Sequence, residues 1–140
     1  MLTLNGGPVV WASRLQKTIA QSTTEAEYLA LADCVKDVIW TRQLLSEFQQ
    51  PQEFQTTVLS DNQAAIKLVQ NPVYPQRTKH IDVRHHFIRD EQSKGNISVN
   101  FVPTYEQPAD MLTKSLCSLS LKQCKSSLNI FYKTNRQWEC

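Results

Sequence analysis

The sequence predicts a mixed α/β domain in which helices cover a sheet. Two short runs, Thr56–Ser60 (TTVLS) and Ile97–Val102 (ISVNFV), have the length and the β-branched or alternating composition of strands. Longer stretches of good helix formers precede and separate them. Strands and helices are mixed along the chain rather than segregated, and that order builds a sheet covered by helices. At 140 residues, with 41% apolar and 20% charged content, the chain is one domain with enough material for a core, so a disordered class is excluded.

The elements follow in order. Gly6-Gly7-Pro8 is turn chemistry and Val9–Ser13 (VVWAS) reads as a strand, so residues 1–21 are expected to form a β-hairpin. Ser22 with Glu25 three residues later has the spacing of a capping box, and helix formers continue to about Phe48. The polar connection QQPQEFQ leads into TTVLS. NQAAIKLV then reads as a helix that stops at Asn71-Pro72, and Asn71–Gln76, with two prolines, as a rigid loop. Thr78–Ser93 is a third, strongly basic helix, closed by Lys94-Gly95-Asn96. The ISVNFV strand follows and Pro103 ends it. Pro108, a favoured first helical residue, opens a fourth helix expected to reach about Leu116, with a short helix over 119–128. The closing FYKTNRQWEC has no clear period.

Several classes are set aside. No run approaches the roughly 18 apolar residues that cross a membrane. The start, MLTLNGGPVVW, lacks the basic and apolar regions of a signal peptide. Four scattered cysteines do not make a disulfide framework, which points to a reducing, intracellular setting. A net charge of +2 admits a nucleic-acid partner only where the charge is clustered.

Three acids stand at element ends. On a helix Glu27 falls within about 40° of Leu31, Cys34, Val38 and Leu45, so it heads the apolar stripe, while Glu25 points roughly 160° away and already serves the capping box. A carboxylate on a buried face must be paired, protonated or bound to a metal; the plainer reading is a first-turn acid favoured by the helix dipole. Asp61 follows the TTVLS strand, at the strand end where ligand sites gather in α/β sheets, and equally suits a helix N-cap. Asp110 lies in the first turn after Pro108, where a carboxylate also suits the dipole. Together the three could converge, which like-charge repulsion opposes unless cations are present. Oxygen-only ligation of that kind suits Mg²⁺ or Mn²⁺.

Arg77, Lys79, His80, Arg84, His85, His86, Arg89 and Lys94 crowd into eighteen residues. The candidate nucleic-acid-binding set is Arg77, Lys79, His80, Arg84, Arg89 and Lys94, a cationic face suited to phosphates; the alternative is a solvated face balanced by Asp82, Asp90 and Glu91. His80, His85, His86, Cys117 and Cys124 invite a zinc reading, but two cysteines seven apart miss the spacing of structural zinc sites, so none is expected.

The strings IAQSTTEAEYLAL, LSDNQAAIKL, NPVYPQRTKHIDVRHHFIRD and FVPTYEQPADMLTK, with NGGPVVWASRLQKT upstream, closely resemble the ribonuclease H region that ends copia-type retrotransposon Pol polyproteins. The resemblance covers residues 1–130 and leaves 131–140 as an unmatched tail. It implies a ribonuclease H-like mixed sheet flanked by helices and cleavage of the RNA strand of RNA–DNA hybrids with two Mg²⁺ ions. It also implies the reverse transcriptase domain of the same polyprotein as a partner, and a cytoplasmic, virus-like-particle or nuclear location. By position, the family's metal-binding catalytic carboxylates fall on Glu27, Asp61 and Asp110. The family has a further strand, with an aspartate in a stretch like SDADW, ahead of the NGG hairpin. In the fold that strand lies mid-sheet, between the hairpin and TTVLS. The chain starts at Met1 inside the hairpin, so the expectation is a domain lacking this central strand and its carboxylate, and inactive alone. Its two strand groups should leave a one-strand gap or pair directly. A non-catalytic nucleic-acid or partner-binding remnant and a decayed reading frame are the competing readings.

Overall fold

The computed structural model describes residues 1–16, 19–71 and 79–131, and for 79–85 the helical backbone without the side chains. The expected Pro-rich loop, apart from Asn71, lies outside the described residues, as does the tail beyond Phe131. The fold is mixed α/β. Strands β1 (Leu2–Leu4) and β2 (Gly7–Val10) form an antiparallel hairpin. Its turn is Asn5-Gly6, both with positive φ (51° and 79°), the pairing of residues that a two-residue hairpin turn of this hand demands. The expected turn at Gly6-Gly7-Pro8 is therefore shifted back by one residue, and the second strand ends at Val10 rather than Ser13.

Helix α1 (Thr23–Glu47) begins as the capping box predicts. Ser22 Oγ accepts from the Glu25 backbone N–H at 3.1 Å. The Glu25 carboxylate reaches back to the Gln21 N–H at 2.7 Å, one residue earlier than the usual reciprocal bond. Near the other end, the Arg42 guanidinium donates to Gln52 O, Phe54 O and Thr56 Oγ1 at 2.7–2.9 Å. It thereby fixes the segment that leads into β3 (Thr56–Ser60).

β3 pairs in parallel with β4 (Ile97–Phe101), in register from Thr56↔Ile97 to Ser60↔Phe101. A parallel pair needs a crossover, here supplied by α2 (Gln63–Gln70) and α3 (Lys79–Ser93). Asn62, not Asp61, caps α2: its side chain accepts from Ala65 N–H at 3.0 Å. The core joins α1 to this layer through Tyr28, Leu31, Ala32, Val35 and Val38 with Val58, Ile66, Val69, Ile88, Ile97 and Val99. The buried arc of α1 is thus wider than, and offset from, the stripe expected from Leu31, Cys34, Val38 and Leu45. The helix packs against α2 and α3 as well as β1 and β3.

After β4 the chain makes two 3-10 turns, Thr104–Glu106 and Pro108–Leu112. The expected helix to Leu116 is not formed; Thr113, at φ −126°, stops it. Helix α4 (Ser118–Ser127) closes the described chain. Asn129 then ties back to the hairpin, donating to Gly6 O at 3.1 Å.

Among the described residues there are two separate two-stranded sheets, not one sheet. Between them, over one face of α1, runs a cleft of about 290 Å³ lined by Leu2 and Thr3 on one side and Thr56–Ser60 on the other. Of the two expected outcomes, a gap or direct pairing, the gap is found.

Candidate functional site

The carboxyl ends of β3 and β4 lie at one end of that cleft, and two of the acids that the sequence singled out are found there. Glu27, in the first turns of α1, and Asp61, one residue past β3, both line the cleft. On their other side they line a second, open depression with Thr23, Asn62, Gln63 and Phe101. Because Asn62 performs the capping, Asp61 is released from the local job that its position suggested. Its carboxylate instead accepts from the Thr104 hydroxyl at 3.0 Å.

Glu27 does not head the buried stripe. It flanks it and is exposed as a residue, yet its carboxyl is held above the usual carboxylate range. Partial burial is the main cause, the negative charge of Asp61 comes next, and Asp110 adds a weaker push; Lys114 opposes them. The acids therefore share one electrostatic neighbourhood. Asp110, on the Pro108–Leu112 turn, has only 16% of its side chain exposed and holds Lys114 Nζ at 2.8 Å. That bond, with the charges of Asp110, Asp61 and Glu27, raises the Lys114 ammonium's affinity for its proton. Glu25 stays outside, occupied by its cap.

Among the described residues no three His, Cys, Asp or Glu side chains stand close enough to grip one metal ion. The expected carboxylate cluster is thus drawn together in charge but not closed into a ligand set. One oxygen of Asp110 is taken by Lys114 and one of Asp61 by Thr104. In kind the donors fit a hard divalent cation, because they are all carboxylates, and such a cation would relieve the part of the Glu27 shift that comes from Asp61 and Asp110.

The basic set fares differently. Arg77 lies outside the described residues, and the side chains of Lys79, His80 and Arg84 are not described. Arg89 is turned inward: its guanidinium donates to Leu68 O at 2.7 Å, Val69 O at 3.1 Å and Asn71 O. These are the orphan carbonyls at the end of α2, so Arg89 is a helix cap and not part of a free cationic face. Lys94 is likewise paired, with Asp90 at 2.6 Å and the buried Glu91 at 2.9 Å.

Comparison with known proteins bears on where such a chain comes from. The retrovirus-related Pol polyprotein from transposon TNT 1-94 of Nicotiana tabacum is 43% identical over 125 residues, 89% of this chain and 9% of that protein. Those from transposons RE2 and RE1 of Arabidopsis thaliana are 34% and 35% identical over 123 residues, 88% of this chain and 8% of each. This chain is a relative of transposon Pol polyproteins. It spans less than a tenth of the length of these relatives. No protein-family model and no solved structure matches it.

In this Pol-related chain, sequence reasoning missed Lys114, Thr104 and Gln107. Lys114 was legible in principle, since a lysine four residues after an acid is a neighbour on any helical turn. Thr104 and Gln107 come from an irregular stretch with no local signal. The Gln107 amide reaches the Leu59 carbonyl at 3.5 Å, on the edge of β3 that looks into the cleft. Among the described helices none is long and apolar enough to cross a membrane.

Proposed function

We propose that the chain is the ribonuclease H-type part of a copia-type retrotransposon Pol polyprotein, acting on the RNA strand of RNA–DNA hybrids beside the polyprotein's reverse transcriptase. In this reading Glu27, Asp61 and Asp110 are the metal-binding carboxylates, and the cleft between the two half-sheets is the place of a further strand bearing a fourth. The observation that carries the reading is the shared electrostatics of Glu27, Asp61 and Asp110 beside the cleft that separates the two half-sheets. Bound Mg²⁺ or Mn²⁺ would supply charge neutralisation and an activated water. The chain's own contribution is to hold the carboxylates on three separate elements: α1, the end of β3, and the turn after Pro108.

In this reading cutting needs a carboxylate-bearing strand seated in the cleft. The 140 residues incubated with an RNA–DNA hybrid and Mg²⁺ should release no RNA fragments. Extending the chain upstream by an aspartate-bearing strand should restore cutting, and Asp61→Asn in the extended form should abolish it. Mg²⁺-dependent cutting by the 140 residues alone, lost in Asp61→Asn, would overturn the need for the strand. Hybrid binding without cutting in either form would favour a non-catalytic remnant.

A further inference from the structure

Resting on that reading of the three carboxylates, the geometry points to Lys114 as a built-in counter-cation that holds Asp110 in the metal-free state and that an incoming divalent ion must displace. Its ammonium sits 2.8 Å from Asp110 Oδ2 and, as with Lys94 on Glu91, its partner is mostly covered. Lys36–Asp33 is 53% and 64% exposed on its two sides, whereas Lys114–Asp110 is 53% and 16%. The lysine keeps its own access to water while neutralising a carboxylate that has little. The charges of Glu27 and Asp61 also act on the lysine, more weakly than that of Asp110. The pair is local: Lys114 N–H and Thr113 N–H both bond to Asp110 O, at 2.8 and 3.1 Å, which places the lysine stem over the turn that carries the acid. Rotation about that stem frees the carboxylate without moving the backbone.

Two consequences oppose each other. Removing the ammonium leaves a covered carboxylate unneutralised, which weakens the metal-free fold. It also removes a competitor and a repelling charge, which strengthens cation binding. A merely structural tie would give the first effect without the second. Lys114 is therefore a positioning residue, acting through Asp110.

The test titrates Mn²⁺ into the full 140-residue chain and follows free Mn²⁺ by electron paramagnetic resonance. The chains compared are the parent, Lys114→Met and Lys114→Gln, with circular dichroism confirming that each is folded. The glutamine form keeps a hydrogen-bond donor for Asp110 and guards against failure of the methionine form to fold. Asp61→Asn, which should weaken binding, assigns the site. Both lysine variants should bind Mn²⁺ about tenfold more tightly than the parent, the scale of one unit charge acting across a few ångströms of partly wet protein. Equal or weaker binding by both variants, with the parent binding and Asp61→Asn weakened, would overturn the role of Lys114 and leave the carboxylate site standing. Absence of Asp61-dependent binding in every chain up to millimolar Mn²⁺ would overturn both.

Discussion

Replacing Arg89 separates its two readings, a phosphate contact and a helix cap. In the structure its guanidinium serves three carbonyls at the end of α2, the helix whose other end begins beside Asp61. A hydrogen bond from a charged donor contributes about 1.5–3 kcal/mol, and a cation at a helix C-terminus roughly 0.3–1 kcal/mol. The three bonds share one group, and water reaches part of the site when it leaves, so the contributions do not add in full. We expect Arg89→Ala to cost about 3–4 kcal/mol, a large part of the roughly 5–15 kcal/mol that holds a domain of this size. Arg89→Lys, with one donor point in place of a fork, should recover about a third of that loss. Urea unfolding followed by circular dichroism measures both. The melting temperature should fall by about 10 °C for alanine, at some 3 °C per kcal/mol. Unchanged stability together with a weaker and less salt-dependent affinity for an RNA–DNA hybrid would refute the cap and restore the phosphate contact.

Two more expectations concern stability. Because the Glu27 carboxyl is raised in the fold above its ordinary value of 4.5, the folded chain holds that proton more tightly than the unfolded chain does. The penalty is absent at low pH, grows as pH rises through the unfolded value towards the folded one, and persists above it. Glu27→Gln should therefore melt higher than the parent at pH 7 in the absence of divalent ions, with the gap closing below about pH 4; melting curves across pH read this directly. Gly6→Ala should destabilise by about 1–2 kcal/mol from the left-handed backbone alone. It should lose more because its Cβ would lie 2.7 Å from Asn129 Nδ2. Adding Asn129→Ala in a denaturation series should relieve the contact and leave the backbone cost.

What the sequence made legible was what local chemistry decides. The Ser22 cap, the TTVLS strand and the stop at Gly95 (φ +76°) each depend on a few neighbouring residues, and each stands where the pattern put it. The stripe on α1 was misplaced for a different reason. A wheel drawn through Leu31, Cys34, Val38 and Leu45 assumes one covering layer, whereas Tyr28, Ala32 and Val35 are buried because the helix meets α2 and α3 as well. Glu27 nevertheless faces the cleft, on the flank of a wider arc. The segment from Pro108 has a good start signal but only a single turn, since nothing beyond Thr113 sustains it. Of the cationic set, Arg89 answers to carbonyls at the end of α2 and Lys94, though half exposed, is paired with Asp90 and Glu91, and a list of charges does not tell paired from free. Asp61 shows the reverse: its neighbour Asn62 took the cap, and only the fold could say which of two adjacent capping residues would.

The gap between the half-sheets also governs how the chain behaves in company. An unpaired strand edge is a template for another chain, and natural sheets blunt such edges with charges, prolines, bulges or a cover. On the hairpin side a bulge at Leu2–Thr3 interrupts the ladder. TTVLS has no charge and no proline, and among the described residues its cover is a glutamine amide on Leu59 O. The edge that offers a place to a kindred strand offers the same place to β3 of a neighbour. Completion within one molecule and aggregation between molecules thus compete for one row of hydrogen bonds, and concentration sets the balance between them.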